Sequence, residues 1–119
     1  MVDQAENVNV PVAALAALAV EYWRLGKWLN GAGVPGAGPA RHAVRKMGDF
    51  LKSVEVDVEQ MEGKPFDAGM ACVVVDSVED EGMEAGNVMI EETVSPLVMW
   101  KGKVVRNAEV VTRKGREGK

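Results

Sequence analysis

The chain has 119 residues, a hydrophobic content of 47% and a formal net charge of -4, values that suit one domain with one core and exclude disorder throughout. The acidic balance counts against nucleic acid as the main partner, and the single cysteine, Cys72, excludes an internal disulfide and fits a reducing, cytoplasmic setting. The apolar run Val12 to Val20 is too short to span a bilayer, and no charged stretch precedes it as in a signal peptide, so neither membrane nor secretion is expected.

Met1 to Asn9 is polar. Pro11 stands where a first helical turn favours proline, and Leu15, Leu18, Tyr22, Leu25 and Leu29 then recur at three- and four-residue steps. The spacing predicts a helix from about Val12 to Asn30, stopped by Gly31. Trp23 and Trp28 lie off this stripe and widen the apolar face, which therefore needs a covering surface. The run Gly31 to Pro39 reads as a flexible connector; without a preceding strand or a following Gly-Lys-Ser/Thr it is not a phosphate loop. A second helix is predicted from Pro39 to Ser53, with Ala40, Val44, Met47, Leu51 and Val54 as a short heptad seam.

Beyond Ser53 the period changes to two: Val54, Val56 and Val58 alternate with Glu55, Asp57 and Glu59. The remainder reads as β-structure. Gly63-Lys64-Pro65 marks a turn, Met70 to Val75 a short buried strand, Asp76 to Gly86 an acidic loop and Asn87 to Val94 a strand bent or broken at Ser95-Pro96. Val98 to Trp100 leads to a turn at Lys101-Gly102, then Val104-Val105 and Val110-Val111 resume strand character, and Arg113 to Lys119 reads as a polar, basic tail. The fold class is α+β: a helical region over 1–53, whose seam is short enough to pack within the monomer or across a dimer, and a β-rich region over 54–119 with a basic tail. Charge is uneven. Ionised groups from Glu55 to Glu92 are acidic except Lys64, and those from Lys101 to Lys119 are basic except Glu109 and Glu117. Such asymmetry steers a partner or is simply solvated surface.

Little in the chain suggests bond chemistry. His42 is the only histidine and is flanked by Arg41 and Arg45, so a zinc ligand set is missing and no metal is expected. Cys72 lies in an apolar run without a cation or base close in sequence, and reads as a small hydrophobe. Glu91 and Glu92 are adjacent in a predicted strand and point to opposite faces, and the acidic loop lacks EF-hand spacing. No nucleophile elbow or dinucleotide fingerprint is present, so an enzyme is not expected and neither is a cofactor.

Three stretches in order resemble the head domain of the GrpE family, the nucleotide exchange factors of Hsp70 chaperones. Gly63-Lys64-Pro65-Phe66-Asp67 is similar to the family's glycine, two variable residues, Phe-Asp. Gly86-Asn87-Val88 is similar to the entry of its next strand. Gly102-Lys103-Val104-Val105-Arg106-Asn107-Ala108-Glu109-Val110-Val111 is similar to its closing motif, in which glycine and a basic residue lead to Arg-Pro-Ala and a final valine strand. The resemblance covers roughly Val56 to Thr112. It implies a co-chaperone of protein folding and the stress response that binds the Hsp70 nucleotide-binding domain and promotes ADP release. It also implies a homodimer formed by a four-helix bundle, with Leu15, Leu18, Tyr22, Leu25, Leu29, Val44, Met47 and Leu51 at the seams. Arg106, supported by Lys101 and Lys103, is the expected partner contact; a salt bridge from Arg106 to Glu91 or Glu92 is the alternative. Gly63, Phe66, Asp67, Gly102, Ala108 and Val110 would hold the head fold.

The sequence also departs from the family. Ala68-Gly69-Met70-Ala71 stands where the family carries a proline and a His-Glu pair, Leu97-Val98 replaces a Gly-Tyr, and Asn107 replaces the proline of Arg-Pro-Ala. Met1 to Val10 hold no counterpart of the long N-terminal stalk. These departures keep open a second expectation: a dimeric adaptor or structural protein that uses a GrpE-like head for another protein partner, without exchange activity.

Overall fold

Residues 6–116 are described in a computed structural model. The chain is α+β, with two helices followed by six strands in two small sheets. Helix α1 spans Val12–Ala32 and α2 spans Gly38–Ser53. The first helix runs past the expected stop at Gly31, because Gly33 (φ 56°) is the residue that takes the left-handed conformation closing a helix. Pro39 sits in the first turn of α2, where its missing N–H costs no helical bond.

The strands are β1 (Val56–Glu59), β2 (Cys72–Ala85), β3 (Val88–Ser95), β4 (Leu97–Trp100), β5 (Lys103–Arg106) and β6 (Ala108–Gly115). One sheet has the order β1-β4-β5, all antiparallel; the other has the order β2-β6-β3, with β6 parallel to β2 and antiparallel to β3. Thus β3–β4 and β5–β6 form one long bent hairpin. It changes sheet at Ser95-Pro96 on one arm and at Asn107 on the other. Proline lacks the N–H for a ladder bond and suits such a corner.

Two sequence expectations are corrected in β2. The stretch Asp76 to Gly86 is strand through Ala85 rather than a loop, because β6 provides a continuous pairing partner from Asp76 to Asp80. The run Met70 to Val75 is not a buried strand: Val73, Val74 and Val75 are exposed, since β2 lies at the outer edge of its sheet. The basic tail is also shorter than expected. Arg113, Lys114 and Gly115 belong to β6, paired with both β2 and β3, while residues 117–119 lie outside the described residues.

Buried side chains form two clusters instead of the single core expected. Ala16, Ala19, Val20, Leu51, Val56 and Val98 join both helices to the β1-β4-β5 sheet. Met61, Ile90, Leu97, Ala108 and Val110 form the second, with Phe66, Met70 and Cys72 against it. The split follows from the bent hairpin, which sends Val98 to one cluster and Leu97 to the other on adjacent residues. In α1 the apolar stripe divides: Ala16, Ala19 and Val20 are buried with Leu15 and Tyr22 packed partly against them, whereas Leu18 and Leu25 are 43% and 37% exposed. The helices approach closely where Gly48 faces Tyr22; a Cβ on Gly48 would come within 2.7 Å of the Tyr22 hydroxyl.

Candidate protein-interaction site

The β4–β5 hairpin turns at Lys101 and Gly102, with φ of 51° and 78°. Two consecutive positive φ values match the twist of a two-residue hairpin, and glycine takes the second at no steric cost. The hairpin is tied to the end of α2. The Lys101 amide donates to the Glu55 carbonyl at 3.0 Å, and the Trp100 indole donates to the Val54 carbonyl at 3.1 Å. Its position is therefore fixed by the helices, through the turn at Glu55 (φ 64°).

Lys101, Lys103 and Arg106 are exposed on this hairpin, the last two on β5, an edge strand. Lys101 places its ammonium 4.8 Å from the centre of the Trp100 ring, a cation–π contact. Among the described residues no carboxylate forms an ion pair with Lys101, Lys103 or Arg106. The alternative pairing of Arg106 with Glu91 is not formed. Glu91 binds Arg113 instead, because β6 sets Arg113 beside β3 while the bend at Asn107 carries Arg106 into the other sheet. The Glu91 hydrogen bond holds the Arg113 guanidinium above its ordinary pKa, with Asp80 adding at 3.3 Å. Lysine and arginine on an edge strand also discourage edge-to-edge aggregation, which is a role needing no partner.

Beside the hairpin lies an apolar cleft of about 470 Å³, lined by Val8, Val10, Leu15, Phe50, Val54 and Trp100 with Lys101 at its rim. Further apolar side chains are exposed elsewhere on the helices: Leu18, Leu25, Trp28 and Met47. The residues assigned to helix seams thus divide. Leu29 and Leu51 are buried within the chain, Leu15, Tyr22 and Val44 are half-buried, and Leu18, Leu25 and Met47 face outward.

The residues expected to hold the β region sit at its turns and core. Gly63 (φ 82°) donates its amide to Ile90, and the Phe66 amide donates to Val88, so this segment lies along β3. Phe66 packs against the second cluster, which contains Ala108 and Val110. Asp67 accepts the Gly69 amide at 3.1 Å and orders the turn into Met70. Sequence reasoning missed Trp100 and Arg113. The signals were a tryptophan immediately before the turn, and an arginine two residues beyond the Val110-Val111 strand run.

Other chemistry finds no cluster. Among the described residues no group of three or more His, Cys, Asp or Glu side chains is arranged to hold a metal. His42 is exposed on α2. Burial pushes the Cys72 thiol up, which favours its protonated, weakly nucleophilic form at neutral pH. Among the described residues no helix is long and apolar enough to cross a membrane. Comparison with known proteins gives no match to any protein-family model and none to any curated protein.

Proposed function

We propose that the chain is a GrpE-like co-chaperone, a homodimer whose hairpin face binds the nucleotide-binding domain of an Hsp70 and promotes ADP release. One observation carries this reading. The three stretches that resemble the family fall, in order, on the Gly63–Asp67 turn, the entry to β3 at Gly86–Val88 and the β4–β5–β6 closing hairpin of an α+β chain whose helices come first. The exposed, unpaired Arg106 between Lys103 and Ala108 supports it, as a cation available to a partner carboxylate. The exposed apolar side chains of α1 and α2 support association of two copies through their helices.

The mechanism is allosteric. A partner that binds the open form of the nucleotide cleft better than the closed one lowers ADP affinity without touching the nucleotide. Arg106 supplies orientation and on-rate, and Lys101 and Lys103 supply steering charge. Binding to an immobilised Hsp70 nucleotide-binding domain tests the reading. Arg106→Ala is expected to weaken it about tenfold, as loss of a charge-assisted hydrogen bond would. Undiminished binding by that variant removes Arg106 from the contact.

A second reading is favoured by Ala68–Ala71, which replaces the family's proline and His-Glu pair. In it the same hairpin face serves a dimeric adaptor for another protein. Retained dimerisation together with no effect on any cognate Hsp70, and specific capture of a non-chaperone partner dependent on Arg106, would decide for it.

A further inference from the structure

The β2-β6-β3 sheet ends on β2, and among the described residues no strand lies against the outer side of β2. Alternate residues of an edge strand direct their amides and carbonyls away from the sheet, where they form a template for another strand. This edge has two unlike halves. Val73, Val74 and Val75 are 50%, 39% and 50% exposed. Beyond the irregularity at Val75, Asp76–Asp80 pair with Val111–Gly115 in unbroken register, so that stretch is straight enough to receive a partner.

Charge defines the partner. From Cys72 to Ala85 the strand carries Asp76, Glu79, Asp80, Glu81 and Glu84 and no cation. Arg113 and Arg116 pair with Asp80 and Glu81. Among the described residues Asp76, Glu79 and Glu84 form no ion pair. We propose that the open edge of β2 docks an extended segment of a partner protein as an added strand, with apolar residues over the valines and a lysine or arginine on each face, one beside Asp76 and one beside Glu79, which lies on the face of Ser77.

A second copy of this chain fits the edge less well. Antiparallel self-pairing centred on Val78 sets Asp76 opposite Asp80, and like charges directly opposite one another are destabilising. Centring it on Val75 places the new ladder on the irregularity, where the strand is bent. The edge is separate from the β4–β5 hairpin, so this inference stands independently of the Hsp70 reading.

The test uses the full chain and a fluorescent peptide of about six residues, the usual strand length, with two lysines three positions apart among valines, so that one lysine falls on each face. Anisotropy is expected to show saturable binding. N-methylation of alternate peptide amides should weaken it about tenfold in one alternating set and leave it nearly unchanged in the other, because only one set faces the ladder. The double variant Asp76→Lys/Glu79→Lys should lose the basic peptide and accept the same peptide with glutamate in place of both lysines. Equal effects of both N-methylated sets, equal binding of the acidic peptide to the unmodified chain, or no binding at all would overturn the proposal. Self-association that the basic peptide fails to displace and that the double variant abolishes would overturn it as well, by assigning the edge to a second copy.

Discussion

At the scale of single residues, the bent hairpin depends on a few positions where space or a hydrogen bond is decisive. Gly115 is one. A Cβ there would overlap the backbone of Met83 and Glu84, where β2 bows around the end of β6. Backbone cannot swing aside as a flexible side chain can, so Gly115→Ala is expected to destabilise the chain by about 1–3 kcal/mol, the usual cost of overpacking. Urea unfolding would measure it, and an unchanged midpoint would show that the bow relaxes freely. Trp100 is another. Trp100→Phe removes the donor to Val54 while keeping most of the apolar contact, so a loss of about 1 kcal/mol is expected in the same assay. The loss should also loosen the Lys101 turn, visible as faster exchange of the Lys101 amide that now bonds Glu55.

At the scale of elements, the helices present two faces of different duty. Leu51 is 3% exposed and packs with Ala16, Ala19 and Val20, whereas Met47, one turn earlier on the same predicted seam, is 37% exposed. Leu51→Ala is therefore expected to cost about 2–5 kcal/mol of folding stability. Met47→Ala should cost much less, and a comparable loss for the two in chemical unfolding would mean that the seam is buried uniformly. The seam was legible from Val44, Met47 and Leu51, but periodicity alone gives which residues share a face and not what covers it. In α1 the spacing points to Leu18 and Leu25, yet Ala16, Ala19 and Val20 take the buried side, with Leu15 and Tyr22 partly buried against the same cluster. The same limit explains β2. Its acidic composition suggested a loop, while the partner that makes it a strand, β6, lies some thirty-five residues away in sequence, as the Ser77–Thr112 pair shows. Turns were easier: Gly63, Gly86 and Gly102 all take positive φ, which their neighbours in sequence announce.

At the scale of the whole molecule, the two clusters of buried residues make the hairpin a bridge. Its β4–β5 end is anchored on the helices through Trp100 and Lys101, and its β3–β6 end on the second cluster through Ile90 and Val110. Lys103 and Arg106, proposed above to contact a partner, therefore sit on an element held at both ends, which suits a rigid contact surface. The exposed helix face gives a prediction at this scale. Sedimentation at micromolar concentration is expected to show a dimer, and Leu18→Glu/Leu25→Glu should weaken it by about a hundredfold or more, since two desolvated leucines are replaced by charges. A monomer for the unmodified chain would remove the helix face from the account.

The candidate site itself was partly legible. Arg106, Lys101 and Lys103 were singled out by their place in the closing stretch. That Arg106 stays free of Glu91 follows only from the change of sheet at Asn107, which no local pattern reveals. The most direct measurement is the release of fluorescent ADP from a cognate Hsp70, followed with and without the chain. Faster release is expected, with ADP affinity lowered by roughly 5–150-fold, the ordinary range of allosteric coupling, and a smaller effect for Arg106→Ala. An unchanged release rate in the presence of a folded, dimeric chain at saturating concentration would contradict it.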